Sequence, residues 1–101
     1  GREQRIKTML RVIAYDIANP KRLRRVAKVC ESFGARVQLS VFECWLDGER
    51  FDALVDGLQA EIDPEKDQIV FYTLDPQNAK RRKGIGARQT FTERTGACLV
   101  L

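Results

Sequence analysis

A chain of 101 residues has room for one domain and one core, and the 44% hydrophobic and 32% charged residues, with no apolar run near roughly 18 residues, exclude a membrane-spanning helix. Histidine is absent, which removes the commonest general base and every His-based nuclease or triad scheme, so a nuclease built on this chain would need a metal. The net charge of +4 is segregated: Lys21, Arg22, Arg24, Arg25 and Lys28 stand together without an acid, Lys80, Arg81, Arg82, Lys83, Arg88 and Arg94 face Glu93 alone, and residues 43–67 hold nine acids against Arg50 and Lys66. One basic and one acidic face are expected, the basic one suited to phosphate backbones.

Residues 1–8 are polar and basic and are expected to be a leader or the remnant of an added sequence, with Met9 as the natural start. Met9 to Tyr15 is nearly all apolar and β-prone, as in a strand covered on both faces, and it stops at Asp16. Asn19-Pro20 then opens a helix, since Asn can accept from free amides and Pro suits the first helical position. Leu23, Val26, Ala27, Cys30 and Phe33 follow at helical spacing, the basic residues fill the other side, and Gly34 supplies the stop.

Within residues 36–46 the apolar phase changes: Val37, Leu39 and Val41 alternate on odd positions, Phe42, Cys44 and Leu46 on even ones. No straight strand does both, so two strands are expected to meet at residues 40–42 through a tight turn or bulge. Asp47-Gly48 caps a second helix that carries Phe51, Leu54, Val55, Leu58 and Ile62 on one face, and Gln68 to Leu74 reads as a further strand. The order β-α-β-β-α-β predicts an α+β, ferredoxin-like sandwich: an antiparallel sheet with both helices on one side. Its open face calls for a cover, and a homodimer would bring two copies of Asp16 near each other.

Residues 9–78 are assigned to this domain and 79–101 to a basic C-terminal extension. Its apolar end, from Ala97, reads as an extra strand without a nearby hairpin partner, expected to pack on the other protomer. The three cysteines, Cys30, Cys44 and Cys98, are scattered and odd in number, which suits buried thiols in a reducing cytoplasm.

Asp16 fits two roles: a turn residue ahead of the helix, or a ligand for magnesium or manganese, which bind through one or two carboxylates plus water and phosphate oxygens. Arg22, Arg24, Arg25 and Arg36 are candidate phosphate clamps, with Arg36 best placed because it opens a strand. Trp45 and Phe42 are candidates for stacking on bases, and Phe42 equally for the core. Tyr15 lies on the opposite face of its strand from Asp16.

Taken together, Tyr15-Asp16-Ile17 after an apolar strand, the basic helix from Lys21 to Lys28, the segment Arg36 to Cys44, the closing strand from Asp67 to Tyr72 and the tail Gly84-Ile85-Gly86-Ala87 resemble the CRISPR-associated protein 2 family. The resemblance implies a homodimer with a divalent metal between two copies of Asp16. By position it makes Asp16 the metal-binding and catalytic residue, with Tyr15, Arg25, Arg36 and Phe42 as accessory site residues. It implies cleavage of RNA or DNA phosphodiesters, on single-stranded RNA or double-stranded DNA, or a non-catalytic bridge between CRISPR-associated integrase subunits during spacer capture. Nucleic-acid contacts are expected from Lys21, Arg22, Arg24, Arg25, Lys28, Arg36, Lys80, Arg81, Arg82 and Lys83. An RNA-binding or small-ligand regulatory domain of the same fold is the remaining alternative. Two departures stand out: Leu39 where many members have Tyr, and Leu23 where an Arg is often found.

Overall fold

The fold is built around Met9–Asp16, strand β1, which takes antiparallel partners on both sides. In the computed structural model, residues 7–87, 90–94 and 98–100 are described; the expected leader lies almost wholly outside them. Helix α1 (Pro20–Glu31) follows, then β2 (Ala35–Gln38), β3 (Val41–Leu46), α2 (Gly48–Gln59), β4 (Gln68–Leu74) and a single helical turn α3 (Pro76–Ala79). Two short strands, β5 (Thr90–Thr92) and β6 (Cys98–Val100), end the described chain. The main sheet has the order β2-β3-β1-β4, the arrangement expected of the split β-α-β layout.

Both helix starts follow from their caps. Asn19 Oδ1 accepts from the Arg22 amide at 3.0 Å, and Asp47 Oδ1 accepts from the Arg50 amide at 2.9 Å. Strand alternation then divides the sheet: Ile13 and Tyr15 of β1, Phe42, Cys44 and Leu46 of β3, and Ile69 and Phe71 of β4 face the helices and join Val26, Ala27, Cys30, Leu54 and Leu58 in one core. Val12, Ala14, Val70 and Tyr72 therefore point to the other side, where Tyr72 is 57% exposed.

The phase change has the cause expected of it, at a slightly earlier position. Leu39 and Ser40 form the turn, Leu39 being 86% exposed, and the register shifts between Arg36 and Gln38. Gly34, in contrast, does not stop α1 by a left-handed conformation, since among the described residues Gly86 alone has positive φ (99°). It is required by contact: a Cβ there would collide with the Glu43 carbonyl oxygen and sit 2.8 Å from Cys44 Cα.

The C-terminal strand is also not alone. Thr90↔Val100, Phe91↔Leu99 and Thr92↔Cys98 pair as an antiparallel ribbon, so the hairpin partner missing from the sequence reading is residues 90–92. Those residues alternate too weakly, over too short a span, to announce a strand. The two charge blocks are likewise rearranged. α1 and α2 lie side by side on one layer, with Val29 Cγ1 only 3.2 Å from a Cβ position on Gly57, so the basic and acidic surfaces are neighbouring halves of the helical layer.

Candidate active site at the end of the first strand

Four pieces of chain converge where β1 ends. Asp16 is paired with Gln68 at the start of β4, and the Tyr15 amide donates to the Ser40 carbonyl at 3.1 Å, which ties the strand end to the β2–β3 turn. The first turns of α1 close the third side. Between them lies a cleft of about 380 Å³ lined by Tyr15, Asp16, Ile17, Leu23, Arg24, Ala27, Arg36, Leu39 and Ser40. Asp16 is the single carboxylate among these, it is exposed, and its side chain makes no hydrogen bond or ion pair with any described residue. A carboxylate with no described side-chain partner is a hard oxygen donor open to a divalent cation, and the two guanidinium groups lining the same cleft suit an anionic substrate.

Behind Asp16 the side chains are packed. Tyr15 is 6% exposed and stacks on Phe42, ring centroids 6.3 Å apart, and burial raises its phenol pKa although Arg36 opposes the shift. A neutral, buried phenol can hold a position or donate a proton; it is unsuited to act as a base at neutral pH. Phe42 is fully buried and does not line the cleft, so stacking on a base is closed to it. Its role is indirect: the Arg36 guanidinium lies 5.3 Å from its ring centroid and only 3.7 Å from Glu31 Oε1, which steers an otherwise exposed cation toward the cleft mouth.

The structure sorts the expected phosphate contacts into free and committed cations. Lys21, Arg24, Arg25 and Lys28 are exposed together along α1 and frame a shallow depression, with Arg24 common to this patch and the Asp16 cleft. Arg25 does not reach the cleft lining. Arg22 is committed: its Nε and Nη2 donate to the Asp67 oxygens at 2.7 and 3.2 Å. So is Arg82. It bonds Glu43 Oε1, the Ala79 and Thr92 carbonyls, and packs 5.0 Å from the Phe91 ring centroid, while Lys80, Arg81 and Lys83 stay exposed. Trp45 likewise serves structure, its indole N–H donating to the Thr92 carbonyl at 2.9 Å. Arg88 lies outside the described residues.

Comparison with known proteins bears on this arrangement directly. The family profile described as CRISPR associated protein Cas2 matches residues 9–82, from the first residue of β1 to the partly buried Arg82. The chain belongs to the Cas2 family. A CRISPR-associated endoribonuclease Cas2 of Nitratidesulfovibrio vulgaris is 39% identical over 82% of this chain and 86% of its own length. A CRISPR-associated endonuclease Cas2 of Halalkalibacterium halodurans is 41% identical over 79% of this chain and 88% of its own. The crystal structure of Streptococcus pyogenes Cas2 at pH 6.5 superposes with a TM-score of 0.71 at 38% identity, covering 77% of this chain and all of that one. The chain is thus a CRISPR-associated protein of a nuclease family, with the ferredoxin-like fold expected of it.

Cas2 relatives named as endonucleases point to a divalent metal in general terms, and the residues here fit one ligand per chain. No group of three His, Cys, Asp or Glu side chains is assembled among the described residues. Asp16 is a hard oxygen donor, exposed and unneutralised, so a metal held there would draw its remaining ligands from water, phosphate oxygens or another molecule. Leu23 and Leu39, the two departures, both line this cleft and make part of its wall apolar.

Proposed function

We propose that this chain acts in CRISPR spacer acquisition as a cytoplasmic homodimer that binds nucleic acid along α1 and the basic stretch at residues 80–83 and cleaves phosphodiesters at Asp16 with magnesium or manganese. The single observation that carries the reading is the Asp16 carboxylate, exposed and unneutralised in a cleft flanked by Arg24 and Arg36. A divalent ion there would polarise a phosphoryl oxygen and lower the pKa of a bound water. Arg24 and Arg36 would hold the phosphate, Tyr15 and Phe42 would keep Arg36 and the strand end in place, and Ser40 would fix the backbone through its carbonyl. A second carboxylate would come from the Asp16 of the partner protomer, across the open face of the sheet. Residues 9–78 would form the folded unit and 79–101 a basic extension that Arg82 and Thr92 hold to Glu43 of the same chain, with its terminal strand packing on the partner protomer.

Purified protein is incubated with labelled single-stranded RNA and double-stranded DNA, with magnesium or a chelator, alongside Asp16→Asn. The expected result is metal-dependent cleavage by the parent and a loss of roughly 100-fold or more in the variant, the scale of removing a group that stabilises transition-state charge. Equal cleavage by both proteins sinks the catalytic role of Asp16. One observation favours a second reading, a non-catalytic dimer bridging integrase subunits: a single carboxylate per cleft is a sparse endowment for catalysis. Spacer capture supported by Asp16→Asn would select it.

A further inference from the structure

Arg22 is held at both ends. Its amide donates to the Asn19 cap at 3.0 Å, and its guanidinium grips Asp67 with two hydrogen bonds. Asp67 is 1% exposed at its side chain and also accepts from the Asp63 amide at 2.9 Å, so it is anchored in the turn that precedes β4. The next residue, Gln68, is the strand partner of Asp16. The residues after Arg22, Leu23 and Arg24, line the cleft. One ion pair therefore joins the first turn of α1, which brings a cleft wall and a free guanidinium, to the strand that sits beside the cleft carboxylate.

We propose that the Arg22–Asp67 pair is a positioning clamp for the Asp16 site, setting the distance between the Arg24 side of the cleft and the Asp16 carboxylate. The proposal rests on the metal-dependent cleavage set out above. Geometry gives it a sharp signature. A bidentate guanidinium–carboxylate fork fixes orientation as well as distance, which an ammonium cannot reproduce, so Arg22→Lys keeps the charge and loses the clamp. Because the fork is filled by Asp67, Arg22 contributes no phosphate contact.

Cleavage is measured in a magnesium titration, and binding to labelled duplex DNA in a salt titration, for the parent, Arg22→Lys, Arg22→Ala and Asp67→Asn. Arg22→Lys and Asp67→Asn are both expected to lower cleavage or raise the magnesium midpoint by roughly 10-fold, the cost common for partners that orient a metal ligand. Binding affinity and its salt dependence stay at the parent's values. If Arg22 instead touched phosphate, Arg22→Ala would reduce the slope of log affinity against log salt by about 0.9, and Asp67→Asn, by freeing the guanidinium, would tighten binding. That opposite pair of responses overturns the clamp. Amide hydrogen exchange supplies a readout independent of activity: Asp16, Ile17 and Gln68 should exchange faster in Arg22→Lys while Ile13 stays protected. Unchanged exchange at Asp16 and Gln68 also overturns it. A parent that cleaves nothing under any metal sinks the activity, and the exchange result alone then decides the clamp.

Discussion

Glu43 sits on the sheet face away from the helices, in the middle of β3, and is nevertheless 4% exposed. Its Oε1 accepts from Arg82 and from the Thr92 amide, so a buried carboxylate is satisfied entirely by the segment that follows β4. Removing Arg82 leaves that charge without its counterion, and breaking one partner of a buried pair typically costs about 3–5 kcal/mol. Arg82→Ala should show this as a lowered urea midpoint, whereas Lys83→Ala, on an exposed neighbour, should move stability by less than about 0.5 kcal/mol. Equal effects would return Arg82 to the surface cations. The buried thiols make a separate claim. Burial pushes Cys30 and Cys44 from an ordinary 9.0 up to about 12. The unfolded chain then releases thiol protons that the native state retains, so this stability is intact below about pH 9 and declines as pH rises toward about 12. Urea midpoints at about pH 8 and about pH 10 should differ, and the difference should shrink in Cys30→Ala/Cys44→Ala. A parent with no alkaline decline would contradict the burial of both groups.

Helix α1 separates its charge from its apolar side chains. Its buried side carries Val26, Ala27 and Cys30, and its outer side carries Lys21, Arg24, Arg25 and Lys28. Each cation that neutralises a duplex phosphate adds about 0.9 to the slope of log affinity against log salt, so Arg25→Ala/Lys28→Ala should flatten that slope by roughly 2 units while leaving the fold intact. A parent slope near zero would remove α1 as a nucleic-acid surface. The long elements were legible in the sequence because each has its own signal: Asn19-Pro20 and Asp47-Gly48 mark the helix starts, and the switch of apolar phase marks the turn at Leu39 and Ser40. The Asp16 cleft was legible in part, since a strand-ending carboxylate is visible in one dimension. Asp75-Pro76 repeats the cap pattern of Asn19-Pro20 and does open α3, a turn hidden by the basic residues that follow. Arg22–Asp67 and Arg82–Glu43 were not legible, because their partners lie 45 and 39 residues apart and nothing local distinguishes these arginines from their exposed neighbours.

At the scale of the molecule, the two faces of the sheet are unequally covered. The helices bury one side, while on the other the C-terminal segment reaches β3 through Glu43 and Trp45 and leaves Val12, Ala14, Val70 and Tyr72 partly or largely exposed. Tyr72 stands directly across from Val12 on the strand that carries Asp16, four residues before that carboxylate. A second copy of this face would cover apolar surface from both sides at once, because a two-fold axis sets the same patch against itself. An arginine at position 72 would then meet apolar surface, and near the axis its own copy, so desolvation and like-charge repulsion add in the dimer and cost little in the monomer. The parent is therefore expected to sediment as a dimer, and Tyr72→Arg to keep its folded spectrum and sediment as a monomer. Cleavage provides the second half of the test. If the metal takes a carboxylate from each protomer, activity should fall with dissociation although Asp16, Arg24 and Arg36 are untouched, and raising protein concentration should recover part of it by mass action. A monomeric variant with full metal-dependent cleavage would show that one Asp16 is sufficient, and would separate the dimer from the chemistry.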